Sequence, residues 1–426
     1  MEHWNTTVGE NEVERQRFRK DLDGLALEGA RRMIAAALEL EIESFLEKHR
    51  GQRGEEGPAP VVRNGYGQSR RMTIGTGTLR IRAPRVRDRR DAGAGERFSS
   101  KILPRYARRS PKVGEVLPVL YLRGLSTGDF RPALESLLGK DAAGLSPTNI
   151  VRLKKTWADE YRAWRRRDLS GKDFVYVWVD GVHFSIRLED DRLCALVVLG
   201  VLADGTKELV AIEDGYRESK ESWLSLLRDL KKRRMKAPAL ATGDGALGFW
   251  GAMREVWPET REQRCWVHKI FNVLDKLPAR LQPRGKEMLN GIMKADKKSV
   301  AEKMMREFSD EFGAKYPKAV ETLEKDRDAL LTFFDFPAPH WLHLRTTNPI
   351  ESTFSTVKLR TRVTKGAGSR TTALSMAYKL MMMASLRYRS VVQSELVEKV
   401  RAGVRFVDGV AVDDHHHDPN SKRDAA

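Results

Sequence analysis

From residue 174 the hydropathy period of the chain changes, and that change constrains the fold more than any other feature. "FVYVWVD" (174–180), "HFSIRL" (183–188) and "LCALVVLGVLADG" (193–205) are short apolar runs rich in β-branched and aromatic residues, the pattern of strands. "ESKESWLSLLRDLKKRRM" (218–235) then spaces its apolar residues as a helix. "PALATGD" (238–244) reads as a strand, "GALGFWGAMREVW" (245–257) as a helix and "EQRCWVH" (262–268) as a strand. Three apparent strands followed by alternating helices and strands predict an α/β fold whose mixed sheet begins with an antiparallel meander. A charged helical stretch follows, from about 280 to 332.

Two of these strands end in an acid, Asp180 before Gly181 and Asp244 before Gly245. A carboxylate at the carboxyl end of a strand lies where open α/β sheets place their ligands. Each aspartate alone also suits a turn or a helix cap. A third acid, Glu351, stands alone in "RTTNPIESTFSTVKLRTRV" (345–363). There the spacing predicts Asn348 as N-cap, Pro349 at the first helical position and Glu351 at the third, reaching back to the capping amide. A second role is open to Glu351, because three carboxylates are the hard oxygen ligands that Mg²⁺-dependent phosphoryl chemistry requires. Ser355, Lys358 and Arg362 recur 4, 7 and 11 residues further on and share its helix face, offering donors to a DNA backbone.

Other residues carry two readings each. His183 either approaches DNA or a metal bound by the acids, or is a half-buried strand histidine, and Asp204 in "ADGTKE" reads as a hairpin turn acid. Trp250 and Trp266 suit core packing better than stacking on a base.

The charge balance names the partner class. There are 77 Lys and Arg against 59 Asp and Glu, a formal net charge of +18, which points to a polyanion. A membrane is the weaker alternative, because no apolar run is long enough to span one and the first residues lack a signal core, so a cytoplasmic location is expected. Cys194 and Cys265 cannot build a disulfide framework. Residues 61–110 hold thirteen arginines and one lysine against Asp88, Asp91 and Glu96, in short alternating segments that read as a DNA-contacting β-ribbon rather than only a solvated face. In 111–170, three helical segments separated by Gly turns suggest a helix-turn-helix, the last bearing Arg152, Lys154 and Lys155, although any small helical bundle has such turns. The polar tail "VDDHHHDPNSKRDAA" reads as disordered.

The segments "VDGVHFSIR", "TGDGALGFWGAMREVWPET", "QRCWVHKIFNVL" and "RTTNPIESTF", in this order and together with "ILPRYARRSPKVGEVLPVLYLRGLSTGDFRPALESLLG", resemble the Mutator-type transposases of bacterial insertion sequences. The likeness implies an Asp-Asp-Glu transposase with a ribonuclease H-like core. Asp180, Asp244 and Glu351 become its catalytic, metal-binding triad, with two Mg²⁺ ions as cofactor and Mn²⁺ as a substitute. It also marks Cys265 and His268 as a Cys-x-x-His signature; with no further zinc ligands in sight, a structural or DNA-facing role is expected, and a buried thiol with a satisfied histidine is the plain alternative. Its 107-residue interval from Asp244 to Glu351 matches a helical insertion before the last acid. The implied partners are terminal inverted repeats and target DNA, with a homo-oligomer in the DNA complex.

The expected organisation is a helical region and linker (1–60), the basic ribbon (61–110), the helix-turn-helix region (111–170), a first part of the ribonuclease H-like core (171–279), a helical insertion (280–337), a last part of the core (338–400) and a flexible tail (401–426). A catalytically inactive DNA-binding regulator and a metal-dependent nuclease or resolvase on the same core are the alternatives.

Overall fold

The computed structural model describes residues 6–50, 59–90, 97–122, 125, 130–138, 147–186, 193–215, 217–245, 248–363 and 369–412. The chain divides into two compact units, Met1–Leu153 and Lys154–Ala426. The first begins with α1 (Thr6–Lys48) and continues through β1 (Val61–Tyr66), β2 (Arg70–Ile74), β3 (Gly77–Ile81) and β4 (Pro84–Asp88). β1 pairs antiparallel with β4, and β2 with β3. Strand alternation turns Leu79 and Ile81 inward, onto Leu38 of α1, Met72 and Leu103, and leaves Arg80, Arg82, Arg85 and Arg87 exposed. α2 (Pro111–Leu122) and α3 (Phe130–Leu138) follow, and α4 (Pro147–Arg165) leads into the second unit. Residues 123–124, 126–129 and 139–146, most of the turns expected between these helices, lie outside the described residues.

The second unit is a mixed α/β structure built on a five-stranded sheet in the order β7-β6-β5-β8-β9. β5 (Phe174–Phe184), β6 (Leu193–Leu202) and β7 (Lys207–Gly215) form an antiparallel meander, whereas β8 (Leu240–Gly243) and β9 (Arg261–Arg264) run parallel to β5. The first two expected strands are thus one: β5 continues through Asp180 and His183, and β7 supplies the third member of the meander. Asp204 turns the chain between β6 and β7, accepting the Thr206 amide at 2.9 Å while Gly205 takes φ +82°.

One face of the sheet is covered by α5 (Lys220–Lys232) and α6 (Phe249–Val256), whose Trp223, Leu226, Leu227, Phe249, Trp250 and Met253 pack on Val177, Val179 and Val198. β6 is buried along nearly its whole length, so its run is continuously apolar rather than alternating. Beyond β9 the chain turns into α7 (Trp266–Leu274), α8 (Gln282–Lys294), α9 (Lys298–Phe312), α10 (Pro317–Glu324) and α11 (Arg327–Leu331), with Leu289, Ile292, Met305, Phe308 and Leu323 buried in them. The strand expected over 262–268 therefore ends at Arg264, and His268 is helical. Two 3-10 turns (Thr332–Asp335 and Ala338–His340) and α12 (Trp341–Leu344) return the chain to the sheet before α13 (Asn348–Val363), α14 (Arg370–Ser385) and α15 (Glu395–Arg401).

Of the flexible tail expected over 401–426, the first part is ordered. Residues 401–412 carry the end of α15 and the hairpin of β10 (Phe406–Val407) with β11 (Val410–Ala411), where Asp408 and Gly409 both adopt positive φ and Phe406 is buried. Residues 413–426 lie outside the described residues. No helix among the described residues is long and apolar enough to cross a membrane.

Candidate functional site

Period two decides which side of the sheet each acid faces. Val177 and Val179 point to α5 and α6, so Tyr176, Trp178 and Asp180 point to the opposite face. On that face the Tyr176 hydroxyl meets His340 Nδ1 at 2.9 Å, and Trp178 Nε1 donates to the His343 carbonyl at 3.0 Å. Trp178 is the rung partner of Thr242 in β8, and the Thr242 hydroxyl donates to the Leu344 carbonyl at 2.9 Å. Asp180 and Asp244 stand two residues beyond that shared rung on neighbouring parallel strands. β8 stops before Asp244, whereas β5 runs on paired with β6, so Asp180 lies inside a strand but beside the point where its parallel neighbour ends.

The same staples deliver Glu351. Residues 343–345 are fixed beneath the strand ends by Trp178, Thr242 and the Trp266 amide, which donates to the Arg345 carbonyl at 2.9 Å. Thr347 is completely buried, and its carbonyl accepts the Ile350 and Glu351 amides at 3.0 Å, which makes Thr347 and not Asn348 the N-cap of α13. The predicted cap is thus shifted by one residue. Instead of reaching back to a capping amide, the Glu351 carboxylate accepts the Thr347 hydroxyl at 2.6 Å and lies 3.9 Å from His268 Nε2.

Cys265 and His268 join this arrangement. Cys265 precedes α7 and donates its own amide to the Gly243 carbonyl at 2.9 Å. Its sulfur accepts the Thr347 amide at 3.3 Å and touches the Thr347 hydroxyl at 3.2 Å, so Cys265 orients the residue that orients Glu351. One ligand atom each from Cys265, His268 and Glu351 lies within 4.8 Å of the others, a set able to hold a metal ion.

A fourth acid joins them without any local signal in the sequence. Glu218, just before the Ser219 cap of α5, reaches over Gly181 so closely that a Cβ there would overlap its carboxylate. Its backbone carbonyl accepts the Gly248 amide at 3.0 Å, and a Cβ at Gly248 would strike the Lys220 backbone, so two glycines permit this approach. Glu218 also forms, with His183 and Cys194, a second group whose ligand atoms lie within 4.8 Å of one another. His183 is exposed, whereas Trp250 and Trp266 are core residues as expected, Trp250 Nε1 fixing the Asp244 carbonyl at 2.7 Å.

Charge crowding follows. Burial raises the Asp180 carboxyl to about 7, assisted by the charges of Glu218 and Glu351 and opposed by the Gly181 amide and His268. Glu218 is also raised, by burial first, with Asp244 adding to the shift and His183 and His268 opposing it. His268 is raised to about 9, first through its hydrogen bond with Cys265, against burial, with Asp244 and Glu351 holding the proton on. Asp180, Asp244 and Glu351 thus each couple electrostatically to His268, and Asp180 and Asp244 to Glu218, although the ligand atoms of the three acids do not all lie within 4.8 Å of one another. Crowded carboxylates of this kind are what a divalent cation relieves, so the donor set fits a hard metal ion.

The other sequence-predicted residues lie elsewhere. Lys358 is exposed on α13 with its Nζ 6.0 Å from the Phe354 ring centre. Arg362 lies on the same helix, its side chain outside the described residues. Arg152 and Lys155 are exposed on α4, and Lys154 is half-buried there.

A model of the Mutator family of transposases matches residues 2–388. The transposase for insertion sequence element IS6120 of Mycolicibacterium smegmatis is 58% identical over 297 residues, covering 70% of this chain and 92% of that protein. The transposase for insertion sequence element IST2 of Acidithiobacillus ferrooxidans is 49% identical over 289 residues, 66% of this chain and 95% of its own length. More distantly, the transposase for insertion sequence element IS256 in transposon Tn4001 of Staphylococcus aureus is 26% identical over 320 residues, 73% of this chain and 78% of that protein.

Proposed function

The chain belongs to the Mutator family of transposases, and from that membership we propose that it is the DNA transposase of an insertion sequence, with Asp180, Asp244 and Glu351 as its catalytic, metal-binding triad. What supports this reading is that all three acids couple to His268, one in β5, one just past the end of its parallel neighbour β8 and one on the first turn of α13, with Asp180 held near neutrality by burial and by the charges around it. On this reading the sheet of the second unit and the helices after it form a ribonuclease H-like core with a helical insertion. The arginine-edged ribbon and α2–α4, with Arg152, Lys154 and Lys155, bind the terminal inverted repeats in the manner of a helix-turn-helix region, and Lys358 and Arg362 grip phosphates beside the site.

Asp180, Asp244 and Glu351 would hold two Mg²⁺ ions, or Mn²⁺ in their place, which when bound supply Lewis acidity for the nucleophile and for the leaving oxygen. The chain's own groups do the rest. Thr347 and Cys265 hold the Glu351 carboxylate in one orientation, the protonated His268 offsets part of the acid charge, and Trp250 fixes the turn at Asp244. In the first step water attacks the phosphodiester at the element's end; the P–O bond breaks and the strand leaves with a free 3′ hydroxyl. In the second, that hydroxyl attacks a target phosphodiester, forming one P–O bond as another breaks. Neither step needs a covalent bond to the protein. Two ends must be held together, so a homo-oligomer is expected on DNA.

The test is a strand-cleavage and strand-transfer assay on duplexes from the ends of the element, with Mg²⁺ or Mn²⁺, for wild type, Asp244→Asn and Glu351→Gln. Nicked and joined products from wild type, with both variants binding DNA and yielding neither, support the reading. A wild type that binds and never cuts points to a DNA-binding regulator, and one that cuts without joining points to a nuclease or resolvase.

A further inference from the structure

Next to Asp244, on the side of β9, a cavity of about 480 Å³ opens between the strand ends and helices α7 and α10. Its volume is that of a site for a small ligand or a single nucleotide unit. Asp244, Gly245, Arg264 and Asp326 line its inner part, and Lys276, Lys318 and Lys325 stand at its exposed side with Asp275 and Glu321, Lys276 paired to Asp275 at 3.2 Å.

Arg264 is buried there with too few acceptors. It is only 8% exposed, and its guanidinium carbon stands 4.1 Å from the centre of the Trp250 ring, a cation–π contact. The two acids near it are already engaged. Glu262 accepts both Nε and Nη2 of Arg254, at 2.5 and 2.8 Å, and stands 3.7 Å from Arg264. Asp326 accepts Lys269 Nζ at 2.5 Å and comes no nearer than 3.5 Å to Arg264. Arg264 Nε, buried, has only the 3.5 Å ion pair with Asp326, and the buried Nη1 has no hydrogen-bond partner. Three cations, Arg254, Arg264 and Lys269, thus share two carboxylates. A buried guanidinium with unused donors is costly unless something accepts from it, and its fork matches the oxygens of a phosphate. A Cβ at Gly245 would lie 3.2 Å from Asp326 Oδ2 and 3.7 Å from the Arg264 side chain, so an anion bound by Arg264 is adjacent to the turn that carries Asp244.

We propose that this cavity is a phosphodiester subsite: Arg264, in contact with Trp250 and assisted by Lys325 at the rim, binds a backbone phosphate of the DNA strand next to the one that reacts at Asp244. The proposal rests on the reading of the chain as acting on DNA. It also gives α7 and α10 a task, since they close the outer wall of a compartment that the strands alone leave open.

The experiment is an anisotropy titration of the full chain, without divalent metal, against duplexes of the terminal repeat in which single phosphates near the element's boundary are replaced by uncharged methylphosphonates. Wild type loses about 10-fold or more in affinity at one position, the cost of a charge-assisted hydrogen bond. Arg264→Gln loses a similar factor on the unmodified duplex and nothing further when that phosphate is neutral. Losses that multiply in Arg264→Gln as in wild type, or unchanged binding by that variant, overturn the proposal. Should Arg264→Gln fail to fold, Lys325→Gln at the exposed rim carries the test: reduced coupling at the same or the adjacent phosphate supports the subsite, and undiminished coupling overturns it. Calorimetry with a deoxynucleoside 5′-monophosphate separates the sources of the phosphate, because Arg264-dependent binding of that probe with a flat methylphosphonate scan overturns the DNA assignment. Cleavage of the unmodified duplexes in Mg²⁺ is read separately. Coupling without cleavage sinks the catalytic reading and keeps the subsite, and cleavage without coupling does the reverse.

Discussion

In β3, β4 and the turn between them, Arg80, Arg82, Arg85 and Arg87 stand in solvent while their neighbours hold the ribbon together; at the ends of β5 and β8, Asp180, Glu218 and His268 are half-buried and crowd one another. Both regions gather like-signed or interacting charge at the edge of a sheet. The ribbon spreads its charge over hydrated side chains, where repulsion is weak and each residue is replaceable. The strand ends concentrate charge where water is scarce, so every group shifts its neighbours. Exposed charge suits adhesion to a polyanion. Buried conflict suits a site that a cation completes.

The sharpest way to break this contrast is to remove an acid from the crowded site. Asp180→Asn, Asp244→Asn and Glu351→Gln should each lower strand cleavage by about 10³-fold or more while leaving duplex affinity without metal close to wild type. A residual rate within about 10-fold of wild type for any of them would strike that residue from the triad.

Stability against pH sharpens the comparison next. Asp180 rises from its ordinary 3.8 to about 7 in the folded chain, so the neutral carboxyl is the favoured form. Its contribution is fully present below about 3.8 and is lost as pH rises through about 7. His268, raised from 6.5 to about 9, gives stability that is complete below 6.5 and is lost as pH rises through about 9. The metal-free protein should therefore weaken between pH 4 and pH 9. Asp180→Asn should remove the lower part of that decline and stabilise the metal-free chain at pH 8 by roughly 2–4 kcal/mol. Denaturant melts across pH check this, and Mg²⁺ should raise the melting temperature of wild type more than that of the variant. Equal pH slopes for the two proteins would mean that Asp180 is not crowded in solution.

Thr347→Val tests how the crowding is organised. Removing the hydroxyl leaves Glu351 in place but without its 2.6 Å donor. A 10- to 100-fold rise in the Mg²⁺ concentration needed for half-maximal cleavage is expected, the usual cost of an outer partner to a metal ligand. An unchanged metal requirement would show that Glu351 does not depend on Thr347.

How much of this the sequence discloses differs between the residues. Asp180 and Asp244 are legible because each follows a buried apolar run and precedes a glycine, which sets a carboxylate at the edge of a sheet, and the mixed sheet follows from the change of period at 174. The cap at Glu351 is one residue away from its predicted place because local chemistry favours Asn348, whereas burial of Thr347 against Cys265 sets the register, and that contact spans 82 residues. "EQRCWVH" reads as one strand from its apolar content, and only the Cys265 amide bonding to Gly243, with α7 beginning at Trp266, shows that β9 stops at Arg264. Glu218 carries no local signal, since its meaning lies in a glycine on another strand. The hairpin at 406–411 is legible in Asp408-Gly409, a turn pair that the polar residues after it overshadow.

The smallest effects belong to the ribbon, and they probe the comparison from its other side. Arg82 and Arg85 flank the β3–β4 connection, are exposed, and carry no buried area whose loss would be felt by the fold. Arg82→Gln and Arg85→Gln should each shift the melting temperature by no more than about 2 °C. If the ribbon meets a DNA backbone, each removed charge releases roughly one counterion fewer on binding, so the slope of log affinity against log salt should fall by about 1 per arginine, additively, with the cleavage rate at saturating DNA unchanged. Slopes that stay at the wild-type value would assign the ribbon's charge to solvation alone. A change in cleavage rate at saturation would instead tie the ribbon to the reacting site, and the separation of adhesive from reactive charge would have to be abandoned.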